Sequence, residues 1–66
     1  MQSYYVNRNQ QSNGDHEVHV RSCRYFPSSA QYLGEFGSCH GAVLEAKRDY
    51  PRANGCAYCC PACHTS

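Results

Sequence analysis

Four of the six cysteines and one of the four histidines fall within residues 55–64, in the run Gly55-Cys56-Ala57-Tyr58-Cys59-Cys60-Pro61-Ala62-Cys63-His64. So many sulfur and imidazole donors in ten residues point to about half of a metal site, and the rest of the chain reads as a platform for it. The 66 residues make one domain, residues 1–66, and a chain this short hides only about 60% of the surface its unfolded form exposes. It holds two Leu, four Val, two Phe and no Ile, with six Tyr supplying much of the bulk. A core of that kind contributes roughly 3–5 kcal/mol. Cysteine is therefore the source of the missing stability, through a metal or through disulfides.

The two options belong to different compartments. The start, Met1-Gln2-Ser3-Tyr4-Tyr5-Val6-Asn7-Arg8, lacks the basic segment followed by roughly 7–15 apolar residues that marks a secretory leader, and no apolar run is long enough to cross a bilayer. The expectation is a cytoplasmic protein without a membrane partner, whose reduced thiols bind metal. Zinc is favoured over disulfides, while the even cysteine count keeps an exported disulfide-rich miniprotein open. A net charge of +1 makes no strong electrostatic claim on nucleic acid.

Along the chain, Tyr4-Tyr5-Val6-Asn7 and the alternating His16-Glu17-Val18-His19-Val20-Arg21 predict a β-hairpin, with Asn13-Gly14 as its type I′ turn. That turn would set His19 opposite Arg8 and Cys23 opposite Tyr4, placing Tyr4, Val6, His19 and Cys23 on one face. Tyr32-Leu33-Gly34-Glu35-Phe36 predicts a third strand. Ser38 is positioned to cap a helix in which Cys39, Ala42, Val43, Ala46 and Tyr50 form one apolar stripe. Lys47 and Arg48 would occupy its last turn, and Pro51 would end it. Asn54-Gly55 then reads as a turn into the tail. The fold class expected is α+β: a small antiparallel β-hairpin or three-stranded sheet packed on one helix in the C-terminal half, stapled by a metal site.

Structural zinc is tetrahedral and is held by Cys and His, with paired ligands a few residues apart so that one short loop aims both at the ion. Cys56-x-x-Cys59 and Cys60-x-x-Cys63 are adjacent candidates; His19-x-x-x-Cys23 supplies the distant pair that would also close the fold, and Cys60-x-x-x-His64 is a wider alternative. Consecutive side chains in extended backbone point to opposite sides, so Cys59 and Cys60 should not both serve one ion. Cys56 and Cys59 are preferred because Gly55 gives the preceding backbone freedom to turn. The preferred reading of the spacing is one structural zinc with Cys56 and Cys59 as one pair and His19 and Cys23 as the distant pair, an assignment that stays open to Cys60, Cys63 and His64 as alternates. Cys39 reads as a small core residue, His16 and His40 as surface histidines, and Tyr58 as packing.

The segments His19-Val20-Arg21-Ser22-Cys23, Leu33-Gly34-Glu35-Phe36 and Gly55-Cys56-Ala57-Tyr58-Cys59, with the helix between the last two, resemble the small zinc domain found at the N-terminus of the Ada DNA-repair methyltransferases. The resemblance implies a zinc held by His19, Cys23, Cys56 and Cys59. The longer helix, the longer link to Cys56, and the added Cys60, Cys63 and His64 depart from that pattern. The whole chain is also similar to short, uncharacterised bacterial proteins ending in Cys-Cys-x-x-Cys-His-Thr-Ser.

Three function classes follow. The first is a zinc-stapled, monomeric module that binds a protein or nucleic acid. The second is a thiol-based redox, metal-handling or alkyl-acceptor protein using Cys60 and Cys63. The third is the exported disulfide miniprotein. Conventional enzyme catalysis is not expected, since Asp15, Glu17, Glu35, Glu45 and Asp49 form no dyad and no phosphate-cradling glycine loop occurs.

Overall fold

In a computed structural model, which describes residues 1–65, the alternating segments become strands of an α+β fold. Strands β1 (Gln2–Asn7), β2 (His16–Val20), β3 (Ala30–Phe36) and β4 (Ala53–Gly55) form one sheet in the order β3-β1-β2-β4. Helix α1 (Cys39–Ala46) lies between β3 and β4, and a single 3₁₀ turn (Pro61–Cys63) follows β4. β1 pairs antiparallel with β2 and β3, whereas β4 pairs parallel with β2. The sheet is thus four-stranded and mixed, in place of the expected three-stranded antiparallel arrangement.

Residues 53–55, which the Asn-Gly pair marked as a turn, fill the open edge of β2 instead. Around them the His16 N–H donates to the Arg52 carbonyl at 3.3 Å and the Cys56 N–H to the Val18 carbonyl at 3.0 Å. Exposed strand edges leave such groups unpaired, so closing this edge stabilises β2. β3 and β4 are the two edges of the sheet, and α1 carries the chain from one to the other while packing on all four strands.

One sheet face therefore carries the core. Tyr4 and Val6 of β1 and Val18 of β2 are buried there against Cys39, Ala42 and Ala46 of α1, with Val20, Leu33, Phe36, Val43 and Tyr50 packed around them. Burying a valine is worth about 1.5–3 kcal/mol, and most other members of this core are alanine or cysteine. The apolar contribution is small, and the demand for a cross-link inferred from composition stands.

The hairpin forms with a different turn and register from those expected. Val6 pairs with Val18, Tyr5 with His19 and Tyr4 with Val20, so His19 lies on the face opposite Tyr4 and Val6. A type I′ turn needs positive φ at both central residues, but Gly14 (φ 92°) has it and Asn13 does not. The tip closes instead through the Gly14 N–H to the Gln11 carbonyl and the Gln11 N–H to the Asp15 carbonyl, each 2.8 Å. Arg52 clamps this tip, donating to the Asn13 carbonyl at 2.8 Å and pairing with Asp15 at 3.3 Å.

α1 is shorter than the apolar stripe implied. It ends at Ala46, and the chain tightens through N–H bonds from Arg48 to the Glu45 carbonyl and from Asp49 to the Ala46 carbonyl, both of i to i+3 type. Pro51 has no amide to continue a helical ladder and disfavours helix in the residue before it. Lys47 and Arg48 consequently lie beyond the helix rather than in its last turn. Ser38 adopts the extended backbone of an N-cap, but its hydroxyl makes no capping hydrogen bond. Eight residues are too few for a helix stable in isolation, so α1 depends on the sheet and on its covalent link, described below. Among the described residues, no helix is long and apolar enough to cross a membrane.

Candidate metal centre

β2, the turn after it and the chain leaving β4 converge on a single point. Strand alternation puts Val18 and Val20 in the core and turns His19 to the other face, where it is only 1% exposed. After Val20 the chain turns, with the Cys23 N–H donating to the Val20 carbonyl at 3.1 Å, and this returns Cys23 toward the end of β2. Cys56 follows β4 directly and is held by its amide bond to Val18. A further turn, closed by the Cys60 N–H to the Cys56 carbonyl at 2.8 Å, brings Cys59 round.

His19, Cys23, Cys56 and Cys59 each present one donor atom, all within 4.8 Å of one another. The Cys23 and Cys56 sulfurs are 3.9 Å apart, and the Cys59 sulfur is 3.8 Å from His19 Nδ1. These four could hold a metal ion. All three cysteines are unbridged.

The surroundings of the four donors suit anionic sulfur and neutral imidazole. Backbone N–H groups of Tyr25, Tyr58 and Val20 donate to the sulfurs of Cys23, Cys56 and Cys59 respectively, each at 3.4 Å. Glu17 Oε1 lies 3.4 Å from His19 Nε2. A proton on Nε2 would be held by that carboxylate, leaving the Nδ1 lone pair toward the sulfurs, and such carboxylate–imidazole pairs commonly orient metal-binding histidines. Burial lowers the His19 pKa against the opposing pull of Glu17, which favours the neutral ring. Burial raises the Cys59 thiol, opposed by the Val20 amide. A cation among these sulfurs inverts that preference, because it favours thiolate directly.

The alternates occupy other positions. Cys60 is buried in the core, its sulfur 3.8 Å from that of Cys59, and burial raises its thiol pKa. Although consecutive, Cys59 and Cys60 thus keep their sulfurs close, yet only Cys59 belongs to the group of four donors. Cys63 is joined to Cys39 by a disulfide across a sequence separation of 24. The Nδ1 of His64 meets the Gly55 carbonyl at 3.0 Å. None of the three belongs to the group at His19.

The disulfide corrects several expectations. Cys39 is buried as the apolar stripe implied, but it is cross-linked rather than simply packed. Cys60 and Cys63 are not a spare reactive pair, one being buried and the other bonded. Nor are all six thiols blocked, because Cys23, Cys56, Cys59 and Cys60 are free. The available signal was arithmetic: a site taking three cysteines leaves three more, and Cys39 and Cys63 sit at the two ends of the region from α1 to the tail.

Glu17, on the same side of β2 as His19, contacts its ring. His16 is half-buried, its Nδ1 donating to the Asn7 carbonyl at 2.9 Å and its ring 4.4 Å from that of Tyr50, whereas His40 is exposed. Tyr58 is 69% exposed and packs on Tyr25 at 4.4 Å, at the surface.

Compared with protein-family models, with curated proteins and with solved structures, the chain matches none.

Proposed function

We propose that the chain is a small zinc-stapled binding module in which His19, Cys23, Cys56 and Cys59 hold one structural Zn²⁺. The convergence of four donors from distant parts of the chain carries this reading. With zinc–sulfur bonds of about 2.3 Å and zinc–nitrogen bonds of about 2.0–2.1 Å, tetrahedral geometry sets the donors roughly 3.5–3.8 Å apart. The separations of 3.9 and 3.8 Å lie close to that range. The Ada-type resemblance, drawn on the same segments, implies the same four residues.

Bound there, zinc would supply a cross-link between β2 and the tail, worth about 10–16 kcal/mol of apparent folding free energy in comparable peptides. Four protein ligands leave no open position for substrate, so the proposed role is structural and not enzymatic. Glu17 fixes the His19 ring, and the three amides hold the sulfurs.

The partner proposed is a protein or a nucleic acid, met by a monomer. The helix-free sheet face supports this, since Tyr5 and Tyr32 lie there with ring centroids 5.3 Å apart and Arg21 sits over Tyr5 and Phe26.

Native mass spectrometry of the disulfide-intact protein, with and without a chelator, tests the zinc. One zinc per chain is expected, with collapse of amide NMR dispersion on its removal. A zinc-free chain that keeps its dispersion would overturn the proposal.

A further inference from the structure

A second group of donors lies at the start of α1, sharing no residue with the first. Cys39, His40 and Cys63 each offer one atom within 4.8 Å of the others. Their sulfurs are bonded to each other, so only the imidazole of His40 is free to donate. His40 is exposed, and with Cys63 it lines an open groove of about 350 Å³ whose other walls are Val43, Leu44, Ala62 and Thr65. Solvent and small solutes therefore reach both residues.

We propose that reduction of the Cys39–Cys63 disulfide converts this corner into a second metal site, in which two thiolates and the His40 imidazole bind a thiophilic d¹⁰ cation, Zn²⁺ or Cu⁺. A dithiol reductant supplies two electrons and two protons. The sulfur–sulfur bond breaks to give two thiols, and the reductant leaves as its cyclic disulfide. Cation binding then displaces the two thiol protons to solvent. Soft thiolate sets select Zn²⁺ and Cu⁺ over harder ions. Cys39 is the first residue of α1, where unpaired helix amides favour a thiolate over a thiol.

The three donors stay together once the covalent bond is gone because the tail is anchored independently of it. Asn54, itself buried, receives the Thr65 N–H at 2.9 Å and donates to the Thr65 carbonyl at 2.9 Å. His64 is tied to Gly55, and the Cys63 N–H donates to the Cys60 carbonyl at 3.0 Å. Three protein ligands leave the remaining position of a tetrahedral cation open toward the groove. The first site is saturated and structural; this one is reducible, accessible and suited to taking up and releasing its cation.

The test is cation stoichiometry in two redox states, read by native mass spectrometry. Protein with its disulfide intact is loaded with zinc, then opened with a water-soluble phosphine, which takes up the oxygen of one water. Separate samples are titrated with Zn²⁺ and, without oxygen, with Cu⁺. One additional cation per chain is expected after reduction, and the tighter-binding arm names the metal. His40→Ala should weaken the additional site by more than the roughly 10–100-fold that loss of an outer-sphere partner costs, with the zinc bound before reduction unchanged. Cys39→Ser should bind the same number in both states. The proposal is overturned by no additional cation after reduction, by unfolding of the zinc-loaded chain on reduction, by an unaltered second affinity in His40→Ala, or by a reduction-dependent cation in Cys39→Ser. Failure of the first site appears separately, as absence of zinc before any reduction.

Discussion

The molecule has two corners where sulfur meets imidazole, and they are built on different terms. At His19, Cys23, Cys56 and Cys59, each of the three sulfurs receives a backbone N–H and the far nitrogen of the imidazole faces Glu17. At Cys39, His40 and Cys63, the two sulfurs satisfy each other and the imidazole is open to solvent. The contrast teaches that nearness of donors does not by itself distinguish ligation from cross-linking, since both groups meet the same 4.8 Å limit. The surrounding shell separates them, because amides aimed at sulfur stabilise separated thiolates.

Breaking the first corner has the largest expected effect. Cys59→Ser removes the sulfur approached by both His19 Nδ1 and the Val20 N–H, so bound zinc and most of the roughly 10–16 kcal/mol that accompanies it should be lost. Amide NMR spectra would show an unfolded chain; a folded, zinc-free variant would erase the distinction between the corners. Cys63→Ser acts on the second corner alone. For a sequence separation of 24, loop-closure entropy puts the loss at about 3.5 kcal/mol. Urea denaturation of the zinc-loaded variant should show that fall while zinc stoichiometry stays at one.

Gly55 joins the two corners, standing beside Cys56 in sequence and against the tail in space. A β-carbon there would lie 2.7 Å from the Cys63 β-carbon and 2.8 Å from the Cys60 carbonyl oxygen. Backbone cannot yield as a flexible side chain does, so Gly55→Ala should cost about 1–3 kcal/mol and lower zinc affinity in the same variant. An unchanged denaturation midpoint would show the tail to be looser than described. The finest test is Glu17→Gln, which keeps size and removes charge beside His19. Zinc affinity should fall by about 10–100-fold, read by competition with a chromophoric chelator, while the Cys39–Cys63 bond remains intact.

The sequence disclosed the chemistry of this chain more readily than its geometry. Alternation at His16-Glu17-Val18-His19-Val20 predicted a strand because side-chain direction repeats every two residues. Its partner register was misread because Asn13-Gly14 suggested a turn type that Asn13 does not adopt. His19 and Cys23 come near Cys56 and Cys59 by another route from the one expected: β4 pairs along the outer edge of β2 and delivers the tail there. β4 itself was hidden, since a three-residue strand containing Asn-Gly has the local signature of a turn.

Cysteine density and a shortage of large aliphatic residues pointed to a chain that needs a staple, and the spacing of Cys56 and Cys59 marked a candidate ligand pair that Cys60 and Cys63 matched equally well. Those are properties of composition and of neighbours a few residues apart, where chain sterics dominate. Which sulfurs remain free and which bond was decided only when α1 crossed the sheet and the tail returned beneath it. The encounter of Cys39 with Cys63 depends on where distant stretches of chain meet, and no local spacing encodes that.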